Sequence, residues 1–257
     1  MSERARAERE SRGRERRKVG GASAPRRGRA TSLQRSMRAW RIVRYLKKTY
    51  HTPKTELHYT TPFQLAVAVM LSAQCTDKLV NKVTENLFKK YKTPRDFARA
   101  NLATFTKEIS SVSFFRNKAK HIIATAQKLE KDFGGKIPKD ARELQTLPGI
   151  GYKTAHVILG ELYDMWDGIP TDTHVKRFAR KFELTNHTDL KKISHDLEKL
   201  VPKKEWKYVN NGFVLYGRYV CKANKHDCSQ HPLTKVWPPA GHRWPRANDV
   251  RKGSGKL

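Results

Sequence analysis

The chain has 257 residues, long enough for one or two compact domains, and sets 54 Lys+Arg against 24 Asp+Glu, a formal net charge of +30. A charge so one-sided repels itself unless a polyanion offsets it; nucleic acid is the commonest such partner, and a merely soluble basic surface is the plainer alternative. Only three cysteines are present, which excludes a disulfide framework, and the longest apolar run, Leu65 to Leu71, is too short to span a bilayer. No secretory signal is read at the N-terminus, so a protein of a reducing compartment without a membrane partner is expected.

Residues 1–36 hold eleven Arg and one Lys against four Glu, a net of +8, and no aromatic residue. With Gly20-Gly21, Pro25 and Gly28 they cannot bury a core, and a disordered basic arm is predicted; its glutamates argue against a transit peptide. From residue 37 the pattern is helical. Trp40, Val43, Leu46 and Tyr50 recur at spacings of three and four and predict the buried face of a first helix. Thr61-Pro62 supplies a cap and a proline at the first helical position ahead of Phe63–Ala73, which is apolar nearly all round, as in a helix at a domain centre. Val80, Val83, Leu87 and Tyr91 form the next stripe, followed by a short helix over 95–101 and another from Ala103. Ala119, Ile122, Ala126, Leu129 and Phe133 line a longer helix that Gly134-Gly135 stops. Further helices are predicted over 139–146, 152–163, 173–183, 188–200 and 205–218, and the Pro-, Gly- and Trp-rich tail after Cys221 is predicted to be irregular. No stretch sustains the period-two alternation of strands, so the fold class is all-α.

The segment Leu147-Pro-Gly-Ile-Gly-Tyr-Lys-Thr-Ala155 carries the most information. Gly149 and Gly151 allow a tight turn and close backbone approach to another molecule. A helix starting at Tyr152 aims its free N–H groups outward, a seat for a phosphate. An ordinary helix–helix turn is the plainer reading. A Walker A loop is excluded, because Tyr152 separates Gly151 from Lys153.

This segment resembles the hairpin of the endonuclease III family. Thr171-Asp-Thr-His-Val175 is similar to that family's catalytic-aspartate segment and Leu71-Ser-Ala-Gln-Cys-Thr-Asp77 to a third signature, all in family order, over about residues 37–228. Tyr152 stands where the family usually has arginine. The resemblance implies a two-lobed helix-hairpin-helix DNA glycosylase: a helical barrel over 62–169, a second lobe from 37–61 and 170–257, and duplex DNA in the cleft between them. It implies Lys153 as nucleophile and Asp172 as catalytic carboxylate, and a monomer acting on DNA with damaged bases or abasic sites. The first turn of a helix favours the neutral amine that a lysine nucleophile requires. Gly149, Gly151, Tyr152 and Thr154 are expected to contact DNA, as is His174, for which a capping or core role is an equal alternative. A damaged base has to leave the stack and its gap has to be filled. The resemblance gives that task to Gln74 and to the loop Ser113-Phe-Phe-Arg116, with Phe114 the first candidate, Phe115 the second, and burial in the core the alternative for both. Lysine at 153 favours a glycosylase that also cleaves the strand, rather than the related monofunctional mismatch glycosylases; a non-catalytic hairpin protein is the rival of another class. Such a protein belongs in the cytoplasm or nucleoid of a bacterium, or in the nucleus or mitochondria of a eukaryote.

Most members of this family end in four cysteines spaced C-x6-C-x2-C-x5-C that hold a [4Fe–4S] cluster. Here Cys221 and Cys228 keep the first interval, but His231 and Trp237 stand third and fourth. With two of four thiolates gone, no iron–sulfur cluster and no cofactor are expected. Zinc on Cys221, Cys228 and His231, with His226 as a candidate fourth ligand, is one alternative; an apolar plug of Trp237, Pro238, Pro239 and Trp244 is the other.

Overall fold

The computed structural model describes residues 31–224 and 226–242; most of the expected basic arm, and Trp244, lie outside them. Among the described residues there are twelve α-helices, two short 3-10 segments and no strand, as the all-α reading expects. None of these helices is long and apolar enough to cross a membrane.

The helices are α1 (Ser32–Thr49), α2 (Pro62–Ser72), α3 (Asp77–Lys90), α4 (Pro94–Ala98), α5 (Leu102–Glu108), α6 (Phe115–Phe133), α7 (Ala141–Gln145), α8 (Tyr152–Tyr163), α9 (Thr173–Lys181), α10 (Leu190–Leu200), α11 (Trp206–Tyr219) and α12 (Pro232–Val236). Their starts are set by short polar side chains that accept otherwise orphaned N–H groups. Thr61 caps α2 through Gln64 N, and Thr93 and Asp96 close a reciprocal capping box on α4. Gly134, at φ +58°, ends α6, and Gly135 N reaches back to Leu129 O at 3.0 Å.

Two hydrophobic cores result. The first is built around α2, buried from Phe63 to Leu71, with Val80, Phe97, Phe105, Ile122, Leu129, Leu144 and Ile158 packed about it. The second joins Ile42 and Leu46 of α1 to Phe178, Phe182, Leu197, Phe213, Tyr216 and Leu233. The cores trade residues near their borders: Leu57 packs into the first and Ile169 into the second. A polar seam runs between them. Glu161 of α8 takes Asn211 Nδ2 at 2.7 Å and Thr55 N at 3.0 Å, while Arg218 is held by Asp77 at 2.7 Å and by Glu56.

Three expectations change. The helix of α1 starts at Ser32, inside the stretch assigned to the arm. Its inward face runs through Ala39, Ile42, Val43 and Leu46, leaving Trp40 42 % exposed. The helix is turned this way because Arg38 is accommodated inside: it donates to Phe182 O at 2.7 Å, pairs with Glu183 at 3.4 Å and stacks on Trp237, so its charge is not buried alone. The tail is not irregular throughout. Pro232 opens α12, Leu233 enters the second core, and Leu233 N donates to Tyr216 Oη at 3.3 Å, so a short helix pays off where periodicity has too few residues to register.

Phe178 is fully buried, with ring centroids 5.3 Å from Phe213 and 5.2 Å from Tyr216. Phe178→Ala is therefore expected to cost about 3–5 kcal/mol in denaturant unfolding. A loss below about 1 kcal/mol would contradict this packing.

Candidate active site

The hairpin is α7, a turn over 146–151, and α8. Asp140 caps α7, and Leu147 and Ile150 are buried, which anchors the turn to the first core. Gly149 has φ +78°, and a Cβ there would lie 2.8 Å from His121 Cβ and 2.9 Å from Met70 Cε, so both backbone angle and space demand glycine. Gly151 is the N-cap of α8; it has no side-chain cap and open space where a Cβ would stand. The first turn of α8 thus presents its N–H groups beside Lys153, whose side chain is 54 % exposed.

Asp172 is the N-cap of α9. Its Oδ1 accepts from His174 N at 2.8 Å and Val175 N at 2.9 Å. Its Oδ2 lies 3.7 Å from Lys153 Nζ. One oxygen of the carboxylate is thereby fixed by the helix it starts, and the other faces an amine from the opposite lobe. The eighteen residues between these two positions are spanned by α8 and a return segment. Asp164, at φ +51°, ends the helix, and buried Trp166 packs on Gly160, where a Cβ would lie 2.6 Å from the indole.

His174 is half-buried, with Nδ1 3.3 Å from Arg177 Nη2. Burial, the largest influence, holds its imidazole below the ordinary value; Asp172 opposes this and Arg177 adds to it. Tyr152 stacks on His156 with centroids 4.0 Å apart, and a Cβ on Gly168 would collide with its hydroxyl. Its hydroxyl is hydrogen-bonded to Ser194 of α10, so the phenol points at the other lobe. Thr154 is half-buried.

The two expected wedge segments come together. Gln74 and Phe114 are exposed, and both hold left-handed backbones, at φ +56° and +54°. Ser113 Oγ donates to Gln74 O at 2.9 Å, and the segments line an open depression of about 530 Å³ with Cys75 and Phe115. Phe115 itself packs against the first core, the burial alternative for that residue. Left-handed non-glycine residues cost energy and collect at functional sites. Beneath them lies a residue that sequence reasoning missed. Lys118 is buried, donates to Leu71 O at 2.8 Å and Ala73 O at 2.6 Å, and burial lowers its pKa. Its signal was a lysine one turn before Ile122 on the apolar stripe of α6.

Residues 67–203 match the HhH-GPD superfamily of base excision DNA repair proteins. The endonuclease III of Synechocystis sp. is 41 % identical over 215 residues, covering 82 % of this chain and 98 % of that protein. The chain belongs to the endonuclease III family. The Bacillus subtilis endonuclease III is 40 % identical over 182 residues, 70 % of this chain and 83 % of its own. Among solved structures, a trapped covalent intermediate of an endonuclease III with DNA superposes with a TM-score of 0.75 at 34 % identity, covering 83 % of this chain and 99 % of that one. The two-lobed helix-hairpin-helix fold expected of the family is the fold found here.

One expectation drawn from the family comparison is not supported. The loss of two cysteines led to an expectation of no cofactor, with zinc kept as the alternative, yet Cys221, His226, Cys228 and His231 offer ligand atoms all within 4.8 Å of one another, a group that can hold a metal ion.

The His174 environment has a measurable consequence. Below about pH 6.5 an unfolded chain takes up a proton that the folded imidazole refuses, so stability falls with pH in this range. His174→Asn is expected to flatten the fall in melting temperature between about pH 7 and 5.5. Parallel curves for wild type and variant would contradict it.

Proposed function

We propose that this chain is a base-excision-repair DNA glycosylase and AP lyase that removes damaged bases, oxidised pyrimidines foremost, through Lys153. The observation that carries this reading is the 3.7 Å pairing of Lys153 Nζ with Asp172 Oδ2, at the exposed start of a hairpin helix.

The neutral amine of Lys153 attacks C1′ of the damaged nucleotide. The N–C1′ bond forms as the glycosidic C1′–N bond breaks, and the base leaves with that electron pair. Asp172 accepts the amine proton and offsets positive charge on the opening sugar. The amine nitrogen's lone pair then opens the sugar: the C1′–O4′ bond breaks, O4′ takes back the proton held by Asp172, and a protonated Schiff base remains; it acidifies C2′, loss of a C2′ proton expels the 3′-phosphate oxygen, and the strand is cut by β-elimination. Gly149, Gly151, Tyr152 and Thr154 belong to the hairpin that receives backbone phosphates, with the phenol of Tyr152 bracing the lobes. Gln74 and Phe114 fill the gap left by the extruded nucleotide; His174 stays neutral behind Asp172 and keeps positive charge away from the carboxylate. The scheme uses no iron–sulfur cluster, whose four thiolates the loop at Cys221 and Cys228 does not supply. A DNA substrate fits a protein of the bacterial cytoplasm and nucleoid, or of the nucleus or mitochondria of a eukaryotic source.

Lys153→Ala is expected to abolish cutting at abasic sites while duplex binding persists, and Asp172→Asn to slow base release about 10²–10⁴-fold. Cutting by Lys153→Ala at the wild-type rate would overturn the assignment. Phe114→Ala is expected to slow removal of a paired damaged base while sparing pre-formed abasic sites; equal losses on both substrates would contradict a wedge.

A further inference from the structure

The loop after α11 keeps two cysteines of the family's cluster motif and has lost two, and its four metal-ligating side chains are arranged too tightly for a cubane. Cys221 Sγ and Cys228 Sγ are 3.8 Å apart, and His226 Nε2 is 3.4 Å from Cys228 Sγ. Two sulfurs each about 2.3 Å from one tetrahedral ion stand roughly 3.7 Å apart, and a sulfur and an imidazole nitrogen roughly 3.5 Å. Both spacings are those of a single ion. A [4Fe–4S] cluster needs a thiolate at each of four corners, and Trp237 occupies the last of these positions with its ring under the Arg38 guanidinium, 3.4 Å from the centroid. A two-iron centre would set the cysteine pair and the histidine pair on different irons, whereas here all four donors fall within 4.8 Å.

The histidines are prepared as ligands. His226 uses Nδ1 on Asn224 O at 2.7 Å, which leaves Nε2 toward the sulfurs, the outer-sphere arrangement usual for a metal-bound imidazole. His231 has a buried Nδ1 with no hydrogen-bond partner among the described residues, and its ring lies 4.9 Å from that of His226. Around the sulfurs sit cations suited to thiolates: buried Lys181 Nζ is 3.0 Å from Cys228 Sγ, and Arg177 Nη1 is 3.8 Å from Cys221 Sγ. From this geometry we propose that Cys221, His226, Cys228 and His231 hold one zinc ion in place of the iron–sulfur cluster. The donor set of two thiolates and two imidazoles suits zinc, needs no redox chemistry and gives a neutral centre.

The ion would tie the end of α11 to the loop leading into α12. Arg177 donates to Cys221 O and contacts His174 Nδ1, so the same loop braces the helix that Asp172 begins. Untagged full-length protein purified without added metal is expected to carry about one zinc per chain by elemental analysis and to melt at a lower temperature after chelation. Cobalt exchange should give the visible bands of a tetrahedral site with a thiolate charge-transfer band. His226→Gln, at the open edge of the loop, should keep its helical circular dichroism and lose zinc to a chelator at about 100-fold lower competitor. Iron with acid-labile sulfide, an intact mass short of two hydrogens from a Cys221–Cys228 disulfide, or protein with all thiols free and no stoichiometric metal would each overturn the proposal.

Discussion

The structure turns on how one carboxylate is divided. Oδ1 of Asp172 satisfies two N–H groups at the start of α9, and Oδ2 is left facing Lys153 across the seam between the lobes. The cap fixes the rotamer, so the second oxygen is aimed without ordering the long lysine chain in advance. A carboxylate that only capped, or only paired with a surface lysine, would add little beyond stability. Doing both makes the start of α9 part of a site whose other half begins α8. The hairpin glycine Gly149, the tight contact of Trp166 on Gly160 and the Glu161–Asn211 bond all serve to bring those two helix starts together.

A second constraint operates through backbone strain. Gln74 and Phe114 each sit in a conformation that costs a non-glycine residue of order 1–3 kcal/mol. Lys118 and Ser113 offset that cost by donating to the carbonyls of the strained turn. The result is two exposed side chains on a backbone already set, which in the gap-filling role proposed for Gln74 and Phe114 would spare ordering entropy as a nucleotide is extruded.

Much of this was legible in the residues. Caps and apolar spacing located the helices from α2 to α11 to within a few residues, because those signals are local. The hairpin was legible for the same reason: two glycines and a lysine lie within five positions. What sequence alone could not supply was long-range. Arg38 and Lys118 lie on buried faces because carbonyls far along the chain receive them, and Trp40 is displaced outward as a consequence. The approach of Lys153 to Asp172 rested on family likeness until the return segment was seen. The tail misled in another way. Counting missing cysteines left no cofactor as the expectation and zinc as the alternative, because His226 lies between the motif positions and comes into range of the other three side chains only when the loop folds.

The most direct measurement is the identity of the amine that becomes joined to DNA. A damaged duplex turned over in the presence of borohydride, digested and mapped by mass spectrometry, is expected to carry the reduced sugar on Lys153. A sugar found on Lys118, on the N-terminal amine or on no residue during active turnover would contradict the division of labour between Lys153 and Asp172.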